Sequence, residues 1–465
     1  MLKSCQNYVG IEEAKKAVII ILIVTLTLVF GQGGCGSSND GNTDSNNSGT
    51  SARTHFAVVS DPHVYDRALG VQGPDFDAYV GRNMKLLEQS EAIFAQVIDS
   101  LKHLDEPPAF LLIPGDLTKD GEKQSHRLVA SYLTNLRASG IQPYIIPGNH
   151  DVANPEAVRY DESGSTQVYS PDAEAFVEIY SDFGYDQAIF RDPHSLSYVA
   201  EPAPGLWLFA VDTNRYDENE EYHVVGGHIR AQTLEWLVDK LRLACESGKE
   251  VIGMMHHGMM EHFQGQGEYL TEFIVDDWER MGHLLASEGM NLVFTGHWHA
   301  QNITRREWDD EVFLVDVQTG SPITYPNPYR LITHDQTKGH VSVRTLNVDE
   351  LTPNEYPSDA FASFRDYSYA FTRDNLMRLS KEILAEFSSL PEERIDELLP
   401  LATEALLAHL AGDEEPTLRN ISEALALVNS SHPDERDVGM LLLSLWRDLP
   451  PGDNDVEFQL SPAVE

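Results

Sequence analysis

Cysteine is scarce in this chain of 465 residues, because three cysteines are too few for a disulfide framework. Cys5 and Cys35 lie near the N-terminus, which leaves Cys245 alone in the body of the chain. A lone cysteine excludes an internal disulfide and offers no thiolate pair for a zinc site. Since Cys245 falls within a helical pattern at 234–246, we expect it to be a small packed side chain.

Positive charge is also scarce, since 33 Lys and Arg residues face 74 Asp and Glu residues, for a formal net charge of -41. An acidic field of this size repels phosphate backbones, which argues against nucleic-acid polymers as partners. A small phosphorylated substrate is not excluded, because bound divalent cations can reverse the local sign of the charge. Most of the surplus carboxylates are expected to keep the protein soluble.

Long hydrophobic runs are absent except at 17–30, where three lysines precede the run. The run is shorter than the roughly 20 residues of a membrane span and fits the core of a signal peptide. The small residues before Cys35 resemble the bacterial lipoprotein cleavage box. That resemblance implies a lipid on Cys35, which anchors an exported protein to a bacterial membrane, facing the periplasm or the exterior. Gln32 departs from the pattern, so ordinary cleavage or an uncleaved anchor remains the alternative.

Composition divides the rest of the chain. Segment 37–51 contains Ser, Asn, Gly, Thr and Asp without an apolar residue, which predicts a flexible tether. We therefore expect a signal peptide at 1–35, a tether at 36–53, a catalytic domain at 54–349 and a helical domain at 350–465.

Apolar β-rich runs alternate with helical patterns in the catalytic segment, which predicts an α/β core with helices on the sheet faces. The expected strands are 55–60, 110–113, 144–146, 206–211, 251–255, 292–294, 312–317, 329–333 and 341–346. The last three lack intervening helices and are expected to be antiparallel. The expected helices are 84–101, 126–139, 232–246, 276–288, 373–387, 392–411, 417–428 and 438–449.

Five of the early strands are each followed directly by residues able to bind a metal. The carboxyl ends of strands in an α/β sheet meet in one crevice, so these side chains are expected to converge. They are Asp61, His63, Asp116, Asn149, His150, Asp151, His256, His257, His297 and His299. A single Asp-x-His pair arises often by chance, but all of these motifs in one order indicate a shared site.

The donors are carboxylate, amide and imidazole groups, without a thiolate. This set suits Mn, Fe, Zn or Co better than calcium or copper(I). A bridging carboxylate can hold two such cations close together, and that pair clamps a phosphoryl group during in-line displacement. A glycine before Asp116, Asn149 and His297 lets the backbone turn tightly beside the metals.

These motifs resemble the calcineurin-like metallophosphoesterase superfamily over roughly residues 54–347. The resemblance implies a four-layer α/β/β/α sandwich, to which this chain adds a small C-terminal helical domain. It implies one metal bound by Asp61, His63, Asp116 and His299. It implies a second metal that shares Asp116 and is bound by Asn149, His256 and His297.

The resemblance also assigns roles around the metals. The superfamily uses the first histidine of such a doublet, so His256 is the expected ligand and His257 lies behind it; the reverse assignment stays open. The implied reaction is hydrolysis by a metal-bridging hydroxide. His150 is the expected proton donor to the leaving oxygen, with Asp151 holding its tautomer, and a purely structural His150 is the alternative.

Finer features are similar to exported bacterial cyclic-nucleotide phosphodiesterases with a helical C-terminal domain. They are the His256-His-Gly258 doublet, a strand at 195–198, the stretch Thr324-Tyr-Pro-Asn-Pro-Tyr329 and the helical tail. This similarity implies hydrolysis of cyclic nucleotides or similar small phosphodiesters. A phosphomonoesterase with the same metals is the alternative, and a catalytically silent surface binding protein is a third, less favoured one.

Other residues are candidates to line the cleft. His262 follows the histidine doublet, and Tyr325 and Tyr329 belong to a proline-rich loop. A solvated loop histidine and packed tyrosines are the alternatives. The insertion at 154–171 follows His150 and is expected to form a wall or a lid.

Overall fold

The computed structural model describes residues 53–308 and 312–460. The predicted signal peptide at 1–35 and the tether up to residue 52 lie outside these ranges. None of the helices within the ranges combines the length and the apolar composition that a bilayer crossing requires. The described chain is mixed α/β, and two β-sheets carry the candidate motifs.

The strands and helices of the described residues are numbered in chain order. The strands are β1 (Arg53–Val58), β2 (Phe110–Pro114), β3 (Gln142–Ile146), β4 (Val158–Asp161), β5 (Gly164–Gln167), β6 (Ala188–Arg191), β7 (Tyr198–Ala203), β8 (Leu206–Val211), β9 (Glu250–Met255), β10 (Leu292–Thr295), β11 (Asn302–Glu307), β12 (Phe313–Gln318), β13 (Pro328–Asp335), β14 (His340–Asn347) and β15 (Val456–Gln459). The helices are α1 (Pro74–Val80), α2 (Ser90–Lys102), α3 (Lys123–Ala138), α4 (Ala173–Ile179), α5 (Ala231–Glu246), α6 (Gln266–Tyr269), α7 (Trp278–Ser287), α8 (Phe364–Phe387), α9 (Glu392–Ala411), α10 (Leu418–Val428) and α11 (Pro433–Leu445).

The first sheet has six strands in the order β15-β14-β13-β1-β2-β3, and the second has seven in the order β11-β12-β10-β9-β8-β7-β6. Within the first, β1, β2 and β3 are parallel, whereas β13 pairs with β1 in the antiparallel sense. Within the second, β8, β9, β10 and β12 are parallel neighbours. The loops that follow β1, β2, β3, β9 and β10 therefore carry the candidate motifs from parallel strand ends.

The two sheets pack face to face, because the rings of Phe56 on β1 and Phe294 on β10 meet edge to face with centroids 5.4 Å apart. Helices α2 and α3 join the core of the first sheet through Val97 and Leu133. The outer face of the second sheet buries a separate cluster, to which α5 contributes Leu237. The expected four-layer α/β/β/α sandwich is confirmed. Burial on both faces also explains why the central strands are continuous apolar runs.

Helices α8–α11 form the predicted C-terminal helical region. Leu399 of α9 and Leu427 of α10 share a buried cluster with Phe263, which lies in the loop after β9. Helix α9 ends at Gly412, whose left-handed φ of 61° suits a helix C-terminus. The chain then returns to the first sheet, where β15 pairs with β14. The division into domains at 349 and 350 stays a prediction.

Three local expectations differ from the structure, and one hairpin was not predicted. The helix expected from residue 84 begins only at Ser90, because Leu86 donates its N–H to the carbonyl oxygen of Ile323. The strand expected at 195–198 contributes only Tyr198 to β7, since the Ser195 hydroxyl bonds Asp192 in a local turn. Cys245 is exposed rather than packed. The hairpin β4–β5 was not predicted, because its short polar strands give no hydrophobic pattern.

Candidate metal centre

The backbone is unusual where the motifs meet. Asp61, His63, Asp116, His297 and His299 all adopt left-handed conformations, with φ between 39° and 70°. Such a conformation costs a residue other than glycine roughly 1–3 kcal/mol and persists where the surroundings enforce it. A Cβ atom on the glycine before Asn149 or His297 would collide with a neighbouring motif, so the loops approach one another as closely as glycine allows.

Asp61, His63, Asp116 and His299 form a first buried cluster, with one ligand atom from each within 4.8 Å of the others. Nε2 of His63 lies 3.1 Å from Nε2 of His299 and 3.3 Å from Oδ2 of Asp116. Nε2 of His299 lies 3.5 Å from Oδ1 of Asp61. Two imidazole nitrogens and two carboxylate oxygens thus face one point, and this donor set suits a first-row metal ion.

His256, Asn149 and Asp116 form a second set of donors. Nδ1 of His256 donates to the carbonyl oxygen of Pro114 at 2.9 Å, so its Nε2 carries a lone pair. That nitrogen lies 2.8 Å from Oδ1 of Asn149 and 3.5 Å from Oδ2 of Asp116. Three acceptors held so close together repel one another unless a cation lies among them. Nδ2 of Asn149 has no hydrogen-bond partner in the described ranges, and its Oδ1 faces the lone pair of His256.

Two more histidines lie near His256. They are His297, a predicted ligand of the second metal, and His257, the open alternative to His256. The three rings offer ligand atoms within 4.8 Å of one another. However, Nδ1 of His257 accepts a hydrogen bond from the Thr213 hydroxyl at 2.7 Å, and its Nε2 donates to the carbonyl oxygen of Val225 at 2.8 Å. Both nitrogens are therefore occupied, whereas His256 keeps one free. The geometry favours His256 as the ligand.

Burial sets the charge of these groups. Burial, and then the neighbouring Asp61, raise the pKa of Asp116 well above its usual value. Burial, and then Lys85, lower the pKa of His63 well below its usual value, and burial likewise lowers the pKa of His297. Neutral imidazoles are the form that binds metals, and two adjacent buried carboxyls favour nearby positive charge. The residues present therefore fit a pair of first-row cations.

The family model for calcineurin-like phosphoesterases matches residues 54–301, which is more than half of the chain. The chain belongs to this family. With the two donor clusters, family membership identifies a dinuclear metal site in a phosphoesterase. The predicted superfamily is confirmed, and the donor set accepts several first-row ions.

Solved structures similar to this phosphoesterase are distant in sequence. A dimetal phosphatase from Danio rerio is 12% identical, with a TM-score of 0.43 over 63% of this chain and 95% of that chain. A candidate 5′-nucleotidase from Staphylococcus aureus is 16% identical, with a TM-score of 0.39 over 70% of this chain and 58% of that chain. A phosphopantetheinyl hydrolase from Mycobacterium tuberculosis is 12% identical, with a TM-score of 0.30 over 59% and 92%. No curated protein matches the chain.

His150 of the phosphoesterase lies beside the donor clusters, with Nε2 3.9 Å from Oδ2 of Asp116. Its Nδ1 donates to Oδ1 of Asp120 at 2.7 Å. Asp120 in turn pairs with the buried Lys119, whose ammonium lies 4.5 Å from the ring centroid of Tyr79. Burial opposes ionisation of Asp120, but Lys119 and His150 outweigh it and hold the pKa of this carboxyl below its usual value. A charged carboxylate therefore orients the imidazole of His150.

The expectation that Asp151 orients His150 is wrong. The carboxylate of Asp151 accepts hydrogen bonds from the backbone N–H groups of Leu117, Thr118 and Gly148 at 2.9–3.0 Å. It also accepts one from the Thr118 hydroxyl at 3.0 Å. Asp151 thus fastens the loop after β2 to the loop after β3. His150 and Asp151 are adjacent in a tight loop, yet their side chains have different partners. Adjacency in sequence therefore did not identify the partner of His150.

Lys85 is a residue of the site that the sequence did not reveal. Its Nζ lies 3.5 Å from Nδ1 of His63, and it has no ion pair with the part of the chain that the structure describes. Burial lowers the pKa of Lys85, while Asp116 and Asp120 oppose that shift. A half-buried ammonium without an ionic partner favours an anion such as phosphate. The predicted helix at 84–101 included Lys85, so the lysine was not considered a site residue.

The three other cleft candidates lie elsewhere. His262 is buried rather than solvated, and its Nδ1 donates to Oδ1 of Asn302 at 3.0 Å. The ring of Tyr325 packs edge to face against Tyr369 of α8, with centroids 5.2 Å apart. Tyr329 belongs to the main hydrophobic core. These side chains support the fold around the site and are not part of its donor set.

Proposed function

We propose that this protein hydrolyses small phosphodiesters, with cyclic nucleotides as the preferred class. The observation that carries the proposal is the pairing of His150 with Asp120 beside the dinuclear donor set. A ribose alkoxide is a poor leaving group, so cleavage of its ester requires a proton at the leaving oxygen. A histidine oriented by a carboxylate can supply that proton. Burial, and then Lys85, lower the pKa of His150 in the free protein, and a bound anionic ester would favour the protonated ring.

The charge of the chain supports a diester over a monoester. A phosphodiester carries one negative charge at neutral pH, whereas a monoester carries about 1.5 to 2. A protein with a formal net charge of -41 repels the more highly charged ester more strongly. The doublet at His256 and the helical region after β14 are further points of similarity with exported cyclic-nucleotide phosphodiesterases.

The side chains divide the work of hydrolysis. Asp61, His63, Asp116 and His299 would hold one cation, and Asn149, His256 and His297 would hold the other together with Asp116. When bound, such a pair polarises the phosphate and lowers the pKa of a water, which supplies the nucleophile. Lys85 binds a phosphate oxygen. His150 gives its proton to the leaving oxygen, and Asp120 holds the other nitrogen of that ring.

A phosphomonoesterase with the same metal site is the second candidate. Lys85 favours it, because an additional ammonium beside the metals binds a dianion more tightly than a monoanion. A catalytically silent binding protein is not favoured, since the donor set and the His150–Asp120 pair are all present.

The experiment is to load the protein with Mn and compare bis(p-nitrophenyl) phosphate with p-nitrophenyl phosphate, followed by a 3′,5′-cyclic nucleotide. We expect faster cleavage of the diester and cleavage of the cyclic nucleotide. Preference for the monoester would move the assignment to a phosphatase. An inactive protein that retains two metals per chain would contradict both candidates.

We also propose that the protein is exported and held at a membrane by a lipid on Cys35, a residue outside the described ranges. The proposal depends on the resemblance of the N-terminal segment to a lipoprotein signal. Expression of the full chain in a bacterium should place it in the membrane fraction, and Cys35→Ser should release it. Membrane retention of that variant would indicate an uncleaved anchor instead.

A further inference from the structure

Two insertions meet beside His150. The first contains the hairpin β4–β5, and the second is the loop that follows β8. Nδ2 of Asn154, at the start of the first, donates to the carbonyl oxygen of His150 at 3.0 Å. Nδ2 of Asn219, in the second, lies 3.3 Å from the carbonyl oxygens of Val152 and Ala153. Both insertions are therefore fixed to the loop that carries the proton donor.

Each insertion contributes one residue to a second pair of histidine and carboxylate. Nδ1 of His223 donates to Oε2 of Glu156, and the backbone N–H of His223 also points to that oxygen, at 3.4 Å. The side chain of Glu156 thus fixes the ring of His223, which is only 8% exposed. Nε2 of His223 forms no hydrogen bond with any residue in the described ranges and is available to a ligand.

The ring of His223 lies against the ring of His150, with centroids 4.4 Å apart. His150 also contacts the ring of His63, a member of the first metal cluster, with centroids 4.9 Å apart. These contacts lead from the metal cluster through His150 to His223. A phosphate bound at the metals would place its ester group on this side, because His150 is the group that protonates the leaving oxygen.

The two histidine pairs share one arrangement. In each, a carboxylate accepts from Nδ1 and leaves Nε2 without a hydrogen bond. A carboxylate in this position fixes the orientation of the ring. Nε2 of His223 is thus the ring atom that can contact a ligand beside His150.

We propose that His223, held by Glu156, is a second substrate-contacting histidine that donates a hydrogen bond to the leaving ester oxygen. The inference rests on the proposed function of the site as an ester hydrolase. In that reaction a bond forms from a water oxygen to phosphorus while the water releases a proton to the solvent, and the bond from phosphorus to the ester oxygen breaks. His150 gives its proton to the leaving oxygen, and the Nε2–H of His223 hydrogen-bonds the same oxygen while negative charge develops on it. Glu156 acts through His223 as a positioning residue.

The test compares His223→Gln and Glu156→Gln with the wild type, with metal content and thermal stability measured for each. The matched controls are His103→Gln, just after α2, and Glu162→Gln, between β4 and β5; both residues are exposed. The substrates are p-nitrophenyl and phenyl esters, each as a diester and as a monoester. Phenoxide is the poorer leaving group and depends more on a hydrogen bond at the departing oxygen.

We expect His223→Gln to lower kcat/KM by about 10²-fold, with the larger loss for the phenyl esters. Glu156→Gln should show a smaller loss with the same dependence on the leaving group, and the double variant should be no worse than His223→Gln. Equal losses for both leaving groups would overturn the proposal. Losses no larger than those of the controls, with both metals retained, would overturn it as well.

A binding measurement keeps this test separate from the proposed function. We expect His223→Gln to bind inorganic phosphate about 10-fold more weakly in calorimetry of the metal-loaded protein, because a hydrogen bond to a charged group is lost. Unchanged phosphate affinity would show that His223 does not contact the phosphate. If the wild type cleaves none of the four esters, the proposed function fails, and phosphate affinity alone decides the role of His223.

Discussion

The indole nitrogen of Trp298 donates a hydrogen bond to Nε2 of His409, which lies 3.0 Å away. Trp298 separates His297 and His299 in the chain, while His409 belongs to α9. Nδ1 of His409 donates in turn to Oε1 of Glu414 at 2.9 Å. The loop with two candidate metal ligands is thus anchored to the C-terminal helical region as well as to its own strand.

Replacement of Trp298 with Phe should therefore weaken both the fold and the metal site. The variant keeps an aromatic ring against Phe273, but it leaves Nε2 of His409 buried without a donor. We expect the free energy of unfolding to fall by about 1–3 kcal/mol and metal affinity to fall about 10-fold. Denaturant unfolding and metal titration measure the two effects. Trp308→Phe is the control, and equal effects in both variants would contradict the anchoring role.

Asp116 faces both donor sets, so Asp116→Asn should affect both metals. We expect the metal content to fall below the two ions per chain of the wild type and kcat to fall on the order of 10³-fold. Elemental analysis and ester hydrolysis are the measurements, with the exposed Asp105→Asn as the control. Removal of metal from the wild type by a chelator should lower its melting temperature, since the ions bind only the folded chain. A full metal content in Asp116→Asn would show that this carboxylate is not shared.

Asp120 and Asp151 should respond differently to the same change. Asp120→Asn removes the charge that orients His150, and we expect kcat to fall by about 10²-fold with both metals retained. Asp151→Asn replaces an acceptor of four hydrogen bonds, and we expect the fold to lose about 3 kcal/mol. Steady-state kinetics and denaturant unfolding of both variants check this contrast. An exchange of the two phenotypes would return the orienting role to Asp151.

Lys85→Met should weaken substrate binding without loss of metal. Its ammonium contacts His63 and has no ionic partner in the described ranges, so its removal takes away one charge that a phosphate meets. We expect kcat/KM to fall by about 10²-fold and Lys85→Arg to recover part of the loss. Kinetics with p-nitrophenyl esters and elemental analysis are the measurements. A loss of metal in Lys85→Met would indicate a structural role for the lysine instead.

The C-terminal region should make the protein less stable as the pH rises. Burial raises the pKa of Glu414 to about 8, and burial followed by the charge of Glu414 raises that of Asp453 to about 8. A carboxyl whose pKa is raised in the folded state stabilises the fold while it is protonated, and this stabilisation is lost between the unfolded value and about pH 8. Melting temperatures from pH 5 to 8 should therefore decline. Glu414→Gln should flatten the decline, whereas the exposed Glu415→Gln should leave it unchanged.

The sequence predicted the layers and the motif positions well, for physical reasons. Strands such as β8 are buried on both faces, so they are continuous apolar runs, and the motifs are contiguous residues at strand ends. Asp120, His223 and Glu156 were missed because their roles depend on contacts between segments far apart in the chain. His223 lies well beyond the end of β8 rather than directly after it, and its partner lies 67 residues away. The pairing of β15 with β14 was also missed, because β15 is a short strand at the end of a segment that was predicted to be helical.

The first donor cluster joins residues that are 236 positions apart, since His63 and His299 face each other across it. During synthesis Asp61 and His63 therefore cannot form the metal site until the segment up to His299 has been made. The last cluster member to leave the ribosome decides when a complete binding site first exists. The ions available where folding finishes then determine which metals this phosphoesterase acquires.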